Sequence, residues 1–351
     1  MYIGGEHILS PFKFFSSDKF DITKYINDKF DFKYKYYTPG GYHSVISIIE
    51  NLNINRQNKI LLPSYLCPSI INAFRTYNVK YEFYKIDKNL KIDFEDLLNR
   101  VDNDVKAVMI INYFGFPVLD FKGISRIKEI RGKGIRIIED AVHSFYSMIQ
   151  SVGDYVFNSF RKNLPVDCSI LMSNVPMKLN SGKKWNKYLV KRNIGRMLRY
   201  FKLKYSVGWE KIYIKLIEES ENDYTNKNMD VNPVSVKLLN KFNHNIIAEE
   251  RNKNFKFLLA NFKDIAVYKS IDNNIIPLGF PILIENRNKI KDKLINEKIF
   301  CPVHWLMNDY INKSEYEDSY FLSEKILTIP ISFEHNNKKL NYLKNKLEQI
   351  L

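Results

Sequence analysis

The chain has 351 residues, of which 45% are hydrophobic and 26% charged, and it carries a formal net charge of +15 at pH 7. This length allows one or two domains with a large core, and no apolar run approaches the ~20 residues that cross a bilayer. The N-terminal residues mix charged and apolar side chains, unlike a secretory signal, so we expect a cytoplasmic protein. Three scattered cysteines argue against a disulfide framework or a structural zinc site, and we predict no metal.

The positive charge is compatible with binding to nucleic acid, because clustered lysines and arginines neutralise phosphates. However, the sequence contains no helix-turn-helix, zinc-finger or RNA-binding signature. A basic cleft for an anionic small molecule accounts for the charge equally well. We therefore expect no nucleic-acid partner.

Strand-like and helix-like segments alternate from about residue 40 to 175. The strand-like segments are 59–62, 81–86, 105–112, 135–138, 155–160 and 169–172. Amphipathic runs such as 44–52 and 94–101 lie between them. This alternation predicts an α/β domain with a mostly parallel sheet covered by helices.

A glycine turn precedes the helix-like run at 44–52. Gly40 and Gly41 follow Pro39, and Tyr42 comes next. Backbone N–H groups at the start of a helix, together with the positive end of its dipole, bind phosphate. Gly41 and Tyr42 are therefore candidate phosphate contacts, although a plain Pro-Gly-Gly turn explains the same residues.

A carboxylate and a lysine follow two successive apolar runs. Asp140 follows 134–138, at the edge where open α/β sheets bind ligands, and Lys162 follows 155–160. A lysine can hold the aldehyde of pyridoxal phosphate (PLP) as a Schiff base, and a carboxylate facing the pyridine nitrogen keeps it protonated. The pair points to PLP chemistry, although Asp140 can also cap a helix and Lys162 can be a solvated side chain.

Residues 178–204 contain ten lysines and arginines and no acidic residue. Apolar residues recur at helical spacing in this stretch, namely Val190, Ile194, Met197, Leu198, Phe201 and Tyr205. Three interpretations compete: a packed helix with a solvated basic face, a helix at an anionic membrane surface over 184–205, and an anion-binding lid over the substrate.

The C-terminal part has a different pattern. Residues 251–262 and 286–297 look helical, and 282–284 look strand-like. We predict a large domain over 1–240, including the basic helical segment 178–205, and a smaller α+β domain over 241–351 that closes over the cofactor.

An ordered series of motifs resembles the DegT/DnrJ/StrS-type sugar aminotransferases, which are fold-type I PLP-dependent enzymes. The motifs are Ile3-Gly4-Gly5-Glu6, Gly40-Gly41, Leu62-Pro63-Ser64-Tyr65, Asn72-Ala73, Asn112-Tyr113-Phe114-Gly115-Phe116-Pro117, Glu139-Asp140-Ala141-Val142-His143, Ser159-Phe160-Arg161-Lys162 and Pro302-Val303-His304-Trp305. Each motif is weak alone, and the specificity lies in their order.

The resemblance implies a fold-type I large domain, PLP as cofactor and a homodimer. It also implies transfer of an amino group from an amino acid, with glutamate as the expected donor, to a keto-sugar nucleotide for a surface glycan. Sugar-dehydrating relatives have histidine in place of the lysine, so Lys162 disfavours dehydration.

The resemblance also implies roles for individual residues. Lys162 and Asp140 are the catalytic pair, and the expected cofactor contacts are His143 on the ring's phenolic oxygen, Ser159 on the phosphate and Cys67 at the position that stacks on the ring. His304, Tyr65 and Ser169 are candidate substrate contacts.

The chain departs from the family pattern at three places. Asp167-Cys168-Ser169 stands where relatives have a Gly-Gly pair, so larger side chains are expected to narrow the pocket. Cys67 replaces an aromatic residue, and the Asn-Tyr-Arg segment by which a neighbouring subunit contacts the phosphate is not evident. The alternative is therefore a noncatalytic or divergent PLP-binding homologue with a regulatory or different PLP-dependent role.

Overall fold

The computed structural model of the chain describes residues 1–179, 182–184, 186–224 and 229–351. Its strands are β1 (Ile3–Gly4), β2 (Tyr34–Thr38), β3 (Lys59–Pro63), β4 (Lys80–Tyr84), β5 (Val105–Ile111), β6 (Arg136–Asp140), β7 (Tyr155–Phe157), β8 (Ser169–Ser173), β9 (Gly279–Leu283), β10 (Ile299–Phe300) and β11 (Ile326–Pro330).

The α-helices are α1 (Ile22–Lys29), α2 (Gly41–Asn51), α3 (Pro68–Thr76), α4 (Phe94–Asn99), α5 (Phe121–Gly132), α6 (Lys187–Tyr205), α7 (Glu210–Tyr224), α8 (Pro233–Leu239), α9 (His244–Phe262), α10 (Arg287–Asn296), α11 (Glu317–Lys325) and α12 (Asn337–Ile350). Short 3₁₀ turns lie at Pro11–Phe15, Tyr113–Gly115, Phe160–Lys162 and Lys263–Ile265. Among the described residues, no helix is long and apolar enough to cross a membrane.

A seven-stranded sheet in the order β2-β8-β7-β6-β5-β3-β4 forms the centre of the molecule. The five strands from β7 to β4 are parallel to one another, and β8 is antiparallel to both of its neighbours. Strands β6 to β8 are almost wholly buried, as expected where helices cover both faces. The predicted α/β fold with a mostly parallel sheet is confirmed.

Most predicted boundaries agree with the structure to within a few residues. The strand predicted over 155–160 ends earlier, at Phe157, and the chain then forms the turn Phe160–Lys162. Strand β2 was not predicted because its residues are only half-buried at the edge of the sheet. Helices α4 and α5 begin where Asp93 and Asp120 accept backbone N–H groups of the first turn.

Helix α6 forms in the predicted basic segment, but its orientation corrects the prediction. Arg192, Arg196 and Arg199 lie on the buried side, whereas Val190 and Ile194 are 48% and 44% exposed. The interpretation of a solvated basic face is therefore wrong for these arginines. Carboxylate and backbone oxygen atoms bind the guanidinium groups, so the arginine side faces inward.

The C-terminal part contains two small sheets, an antiparallel β9–β11 pair and a parallel β1–β10 pair. Strand β1 lies near the N-terminus, so the first residues of the chain are joined to its C-terminal part. A separate domain over 241–351 stays a prediction.

Candidate active site

One cavity lies where β6 ends, β7 ends and α2 begins. It is lined by every residue predicted to contact the cofactor, namely Gly41, Tyr42, Cys67, Asp140, His143, Ser159 and Lys162. Parallel strands bring their carboxyl ends to one edge of the sheet, which explains why residues distant in sequence meet here.

Asp140 is the last residue of β6 and is 6% exposed. Its Oδ1 accepts the backbone N–H of Val142 at 2.8 Å. Burial raises the pKa of Asp140 to about 7, and the Val142 N–H and the nearby Lys162 only partly oppose that rise. The carboxylate therefore lies where a cationic partner stabilises its ionised form.

Lys162 ends the turn that follows β7. Burial lowers the pKa of Lys162, and the neighbouring Arg161 lowers it further, against an opposing effect of Cys67. A lowered pKa gives the amine a larger neutral fraction near pH 7, as a nucleophile or a proton acceptor requires.

His143 also lines this cavity. Its Nδ1 accepts the backbone N–H of Phe114 at 3.3 Å, so the proton of the neutral ring is on Nε2. Burial lowers the pKa of His143 well below its usual value. Among the described residues, Nε2 is buried and has no hydrogen-bond partner, so it can donate to an oxygen atom in the cavity.

Trp305 was not predicted as a site residue, although it belongs to a predicted motif. It lines the cavity and stacks on His143 with ring centroids 5.1 Å apart and planes at 21°. The adjacent His304 lines a second cavity beside Lys162, and its Nδ1 lies 2.9 Å from Thr328 Oγ1. Only the fold brings these residues to Asp140, because more than 160 positions of sequence separate them.

Tyr224, the last residue of α7, was also missed. Its hydroxyl lies against Gly40 so closely that no Cβ fits there, and it interacts with the backbone N–H of Tyr42. The Arg161 guanidinium lies 4.3 Å from the centre of the Tyr224 ring. Tyr224 thus occupies the start of α2, where a phosphate was predicted.

Two candidate substrate contacts do not join this group. Ser169 Oγ donates to Asn158 O at 2.5 Å and lies 2.9 Å from Ser44 Oγ. The Tyr65 hydroxyl donates to the carbonyl of His304 inside the core. Neither side chain lines the two cavities described here.

Asp167 lines neither cavity, and its carboxylate accepts from Arg196 and Tyr188. Its larger side chain therefore does not narrow the pocket as expected.

Residues 39–161 match the sequence model of the DegT/DnrJ/EryC1/StrS aminotransferase family. This stretch includes the glycine turn, Asp140, His143 and Ser159, and it ends one residue before Lys162. The predicted resemblance to this family is confirmed over these residues.

Among curated proteins, the chain is 36% identical over 88 residues to a probable glycine dehydrogenase (decarboxylating) subunit 1 of Thermoplasma volcanium. The match covers 24% of this chain and 20% of that protein. The chain thus spans about a fifth of the length of the curated relatives it matches.

Several solved structures cover almost the whole chain, and two of them are aminotransferases from Helicobacter pylori and Streptococcus pneumoniae. PseC of Helicobacter pylori, an aminotransferase involved in the biosynthesis of pseudoaminic acid, has a TM-score of 0.71 at 12% identity and covers 99% of this chain and 98% of its own. The PLP form of the putative sugar aminotransferase Spr1654 from Streptococcus pneumoniae has a TM-score of 0.69 at 11% identity. The match covers 99% of this chain and 94% of that structure's chain. At these identities the likeness shows the fold, and the predicted fold-type I class is confirmed.

Proposed function

We propose that this chain is a PLP-dependent aminotransferase that moves an amino group from an amino acid, with glutamate as the donor, to a keto-sugar nucleotide for an amino-sugar glycan. The observation that carries the proposal is that Asp140 and Lys162 line one cavity. The fold shared with sugar aminotransferases supports it. A cytoplasmic homodimer is part of the proposal, and sedimentation of the purified protein tests the dimer.

The side chains present fit PLP. At the ring end, Asp140 suits the pyridine nitrogen, Lys162 suits the aldehyde, and the unpartnered Nε2 of His143 suits the phenolic oxygen. At the phosphate end, Ser159 and the start of α2 supply donors.

Bound PLP would supply an electron sink for the bond that breaks at the substrate Cα. Lys162 Nζ, with its pKa lowered by burial, can take the proton from the substrate Cα and deliver it to the C4′ carbon of the cofactor. With PLP bound, Asp140 would place negative charge at the ring nitrogen, and His143 would donate from Nε2 to the phenolic oxygen. The walls exclude water, since Asp140 and His143 are both more than nine-tenths buried.

The first test is covalent binding of PLP. Addition of PLP should produce the visible absorbance band of lysine-bound PLP, and Lys162→Ala should abolish that band because it removes the only described amine lining the Asp140 cavity. The matched control is Lys29→Ala. Burial also lowers the pKa of the Lys29 amine, in this case to about 7, but Lys29 lies in a separate pocket. The Lys29→Ala variant should therefore keep the band.

Borohydride reduction followed by peptide mapping identifies the labelled lysine in the wild type. Label on Lys29 with none on Lys162 contradicts the proposal. Turnover is then tested with glutamate: the wild type should release 2-oxoglutarate and Lys162→Ala should not.

A second candidate, a noncatalytic homologue, is favoured by the position of Tyr224. Its hydroxyl lies against Gly40 at the start of α2. The cavity lined by the predicted cofactor contacts has a volume of only about 70 Å³. Typical small-molecule sites have roughly 300–1,000 Å³, so PLP requires Tyr224 to move. A wild type that shows no lysine-bound PLP at saturating PLP supports this second function.

A further inference from the structure

A second cavity of about 470 Å³ adjoins the first, and Lys162 and Arg161 line both of them. Its walls come from the N-terminal segment at Gly4–Ile8, from α6 and α9, and from the chain around β10 and β11. This volume lies in the range of small-molecule sites. If Lys162 performs the proposed chemistry, this second cavity is where a substrate reaches its amine.

Arg251 of α9 is one of two arginines in this wall with no ion pair. It is 2% exposed, and its guanidinium donates to the backbone carbonyls of Pro277 and Leu278. In the part of the chain that the structure describes, no carboxylate lies within 4 Å of it. Burial lowers the pKa of Arg251 to about 10, so the group remains charged at pH 7.

Arg199 of α6 is the second. It is 6% exposed and donates to the carbonyls of Glu6 and Gly4, and its Nε is buried with no partner among the described residues. Two other arginines of the same helix differ: Arg192 pairs with Glu6 and Glu221, and Arg196 pairs with Glu6 and Asp167. On the same helix, therefore, Arg192 and Arg196 form ion pairs, whereas Arg199 forms none within 4 Å among the described residues.

The remaining groups in the cavity do not neutralise these two cations. Glu6 already pairs with Arg192 and Arg196. Burial raises the pKa of Glu334 while Lys339 and Arg199 oppose that rise, and in the described part of the chain Glu334 forms no ion pair within 4 Å with either arginine. Burial lowers the pKa of His7 to about 4 and of His335 to about 3, so both rings are neutral at pH 7. A buried cation without a counter-ion is costly, and a bound anion relieves that cost.

We propose that Arg199 and Arg251 form an oxyanion site that holds the acidic group of the substrate beside Lys162. The identification of this anion as a substrate rests on the proposed function, whereas the site itself rests on the two unpaired arginines. The anion is a carboxylate or a phosphate. It comes either from the amino-acid donor or from the diphosphate of the sugar nucleotide.

Calorimetric titration of the PLP-treated protein with two unreactive probes separates these sources. Glutarate represents the dicarboxylate donor, and uridine diphosphate represents the nucleotide. The wild type should bind at least one probe, and Arg251→Gln and Arg199→Gln should each weaken that binding on the order of 30-fold. Lys215→Gln, at a lysine that is 77% exposed on α7, removes the same charge and should change nothing.

Wild-type protein that binds neither probe overturns the proposal, as does unchanged affinity in both glutamine variants. If a glutamine variant fails to fold, Arg251→Lys and Arg199→Lys replace it. Lysine keeps the charge but loses the planar fork, so each should bind at least about threefold more weakly, and unchanged affinity in both again contradicts the site.

The two proposals fail differently. A lysine-bound PLP band without probe binding removes the oxyanion site and leaves the aminotransferase. Probe binding that depends on both arginines, in a protein that never shows the band, leaves the site and removes the aminotransferase.

Discussion

Asp140 illustrates how one residue can weaken the fold that it serves. Its folded pKa of about 7 lies well above the value of roughly 3.9 for an unfolded chain. The unfolded chain therefore ionises first, and the protein loses stability as the pH rises from about 4 to about 7.

We expect Asp140→Asn to raise the free energy of unfolding by about 2–4 kcal/mol at pH 8 in protein without added PLP, because asparagine avoids this ionisation. The gain should shrink toward pH 4, and PLP binding should weaken. Urea denaturation at several pH values measures the first effect. Asp154→Asn is the control, since that buried carboxylate pairs with Arg131 and Arg136 and its loss should destabilise the fold. A gain that is equal at pH 4 and pH 8 contradicts the explanation.

The Tyr224 hydroxyl engages the backbone N–H of Tyr42 at the start of α2, where the proposed function places the phosphate of PLP. Tyr224→Phe removes that contact and keeps the ring on Arg161, so PLP should bind roughly 2–10-fold more tightly. Titration followed by the lysine-bound absorbance band measures the change. Tyr213→Phe, on the same helix, should leave the affinity unaltered. Weaker binding in Tyr224→Phe means instead that the hydroxyl helps to hold the phosphate.

Helix α6 shows how polar partners decide which side of an element is buried. Its apolar spacing predicts a packed hydrophobic face, yet Val190 and Ile194 are exposed while Arg196 is fully buried between Glu6 and Asp167. Arg196 and Arg192 lower the pKa of Asp167 against the effect of burial. The membrane hypothesis for 184–205 stays a prediction.

Arg196→Leu should lower the free energy of unfolding by about 3–5 kcal/mol at pH 7, because Asp167 and Glu6 lose their shared cation. The loss should be smaller at pH 3, because Asp167 of the variant has lost its main cation and takes up a proton more readily. Chemical denaturation of the two proteins measures this difference. The control is Lys202→Leu, also on α6. It removes a surface pair with Glu210 of α7 and should cost less than about 1 kcal/mol. Equal losses in the two variants contradict a buried network.

At the scale of the whole molecule, the first eight residues connect distant parts of the fold. Strand β1 pairs with β10, Glu6 binds two arginines of α6, and His7 Nε2 lies 3.2 Å from the carbonyl of Lys162. One short segment therefore joins the C-terminal part, the α6–α7 hairpin and the candidate active site.

Deletion of residues 1–8 should lower the free energy of unfolding by several kcal/mol, on the order of 3–5, because it uncovers Arg192 and Arg196. Glu6→Gln in the full-length chain should reproduce much of this loss without removing β1. Thermal and urea denaturation compare the three proteins. A deletion as stable as the full-length chain contradicts the structural role of this segment.

Much of the sheet and half of the site follow from local sequence. Short apolar runs predicted β3 to β8, and the carboxyl edge of a parallel sheet predicted that Asp140 and Lys162 lie near each other. The Gly40–Gly41 turn was predicted to bind phosphate, but strand β2 before it was not predicted, so its place at this edge came from the structure.

The rest of the candidate site depended on contacts between residues far apart in the chain. Trp305 stacks on His143 and Tyr224 covers the start of α2. Trp305 belongs to a predicted motif that did not reveal this contact, and no local pattern marks Tyr224. The inward side of α6 was likewise decided by Glu6 and Asp167, which lie outside the helix. Hydrophobic periodicity reports the burial that a segment prefers by itself, whereas a buried charge lies wherever the tertiary structure supplies its partner.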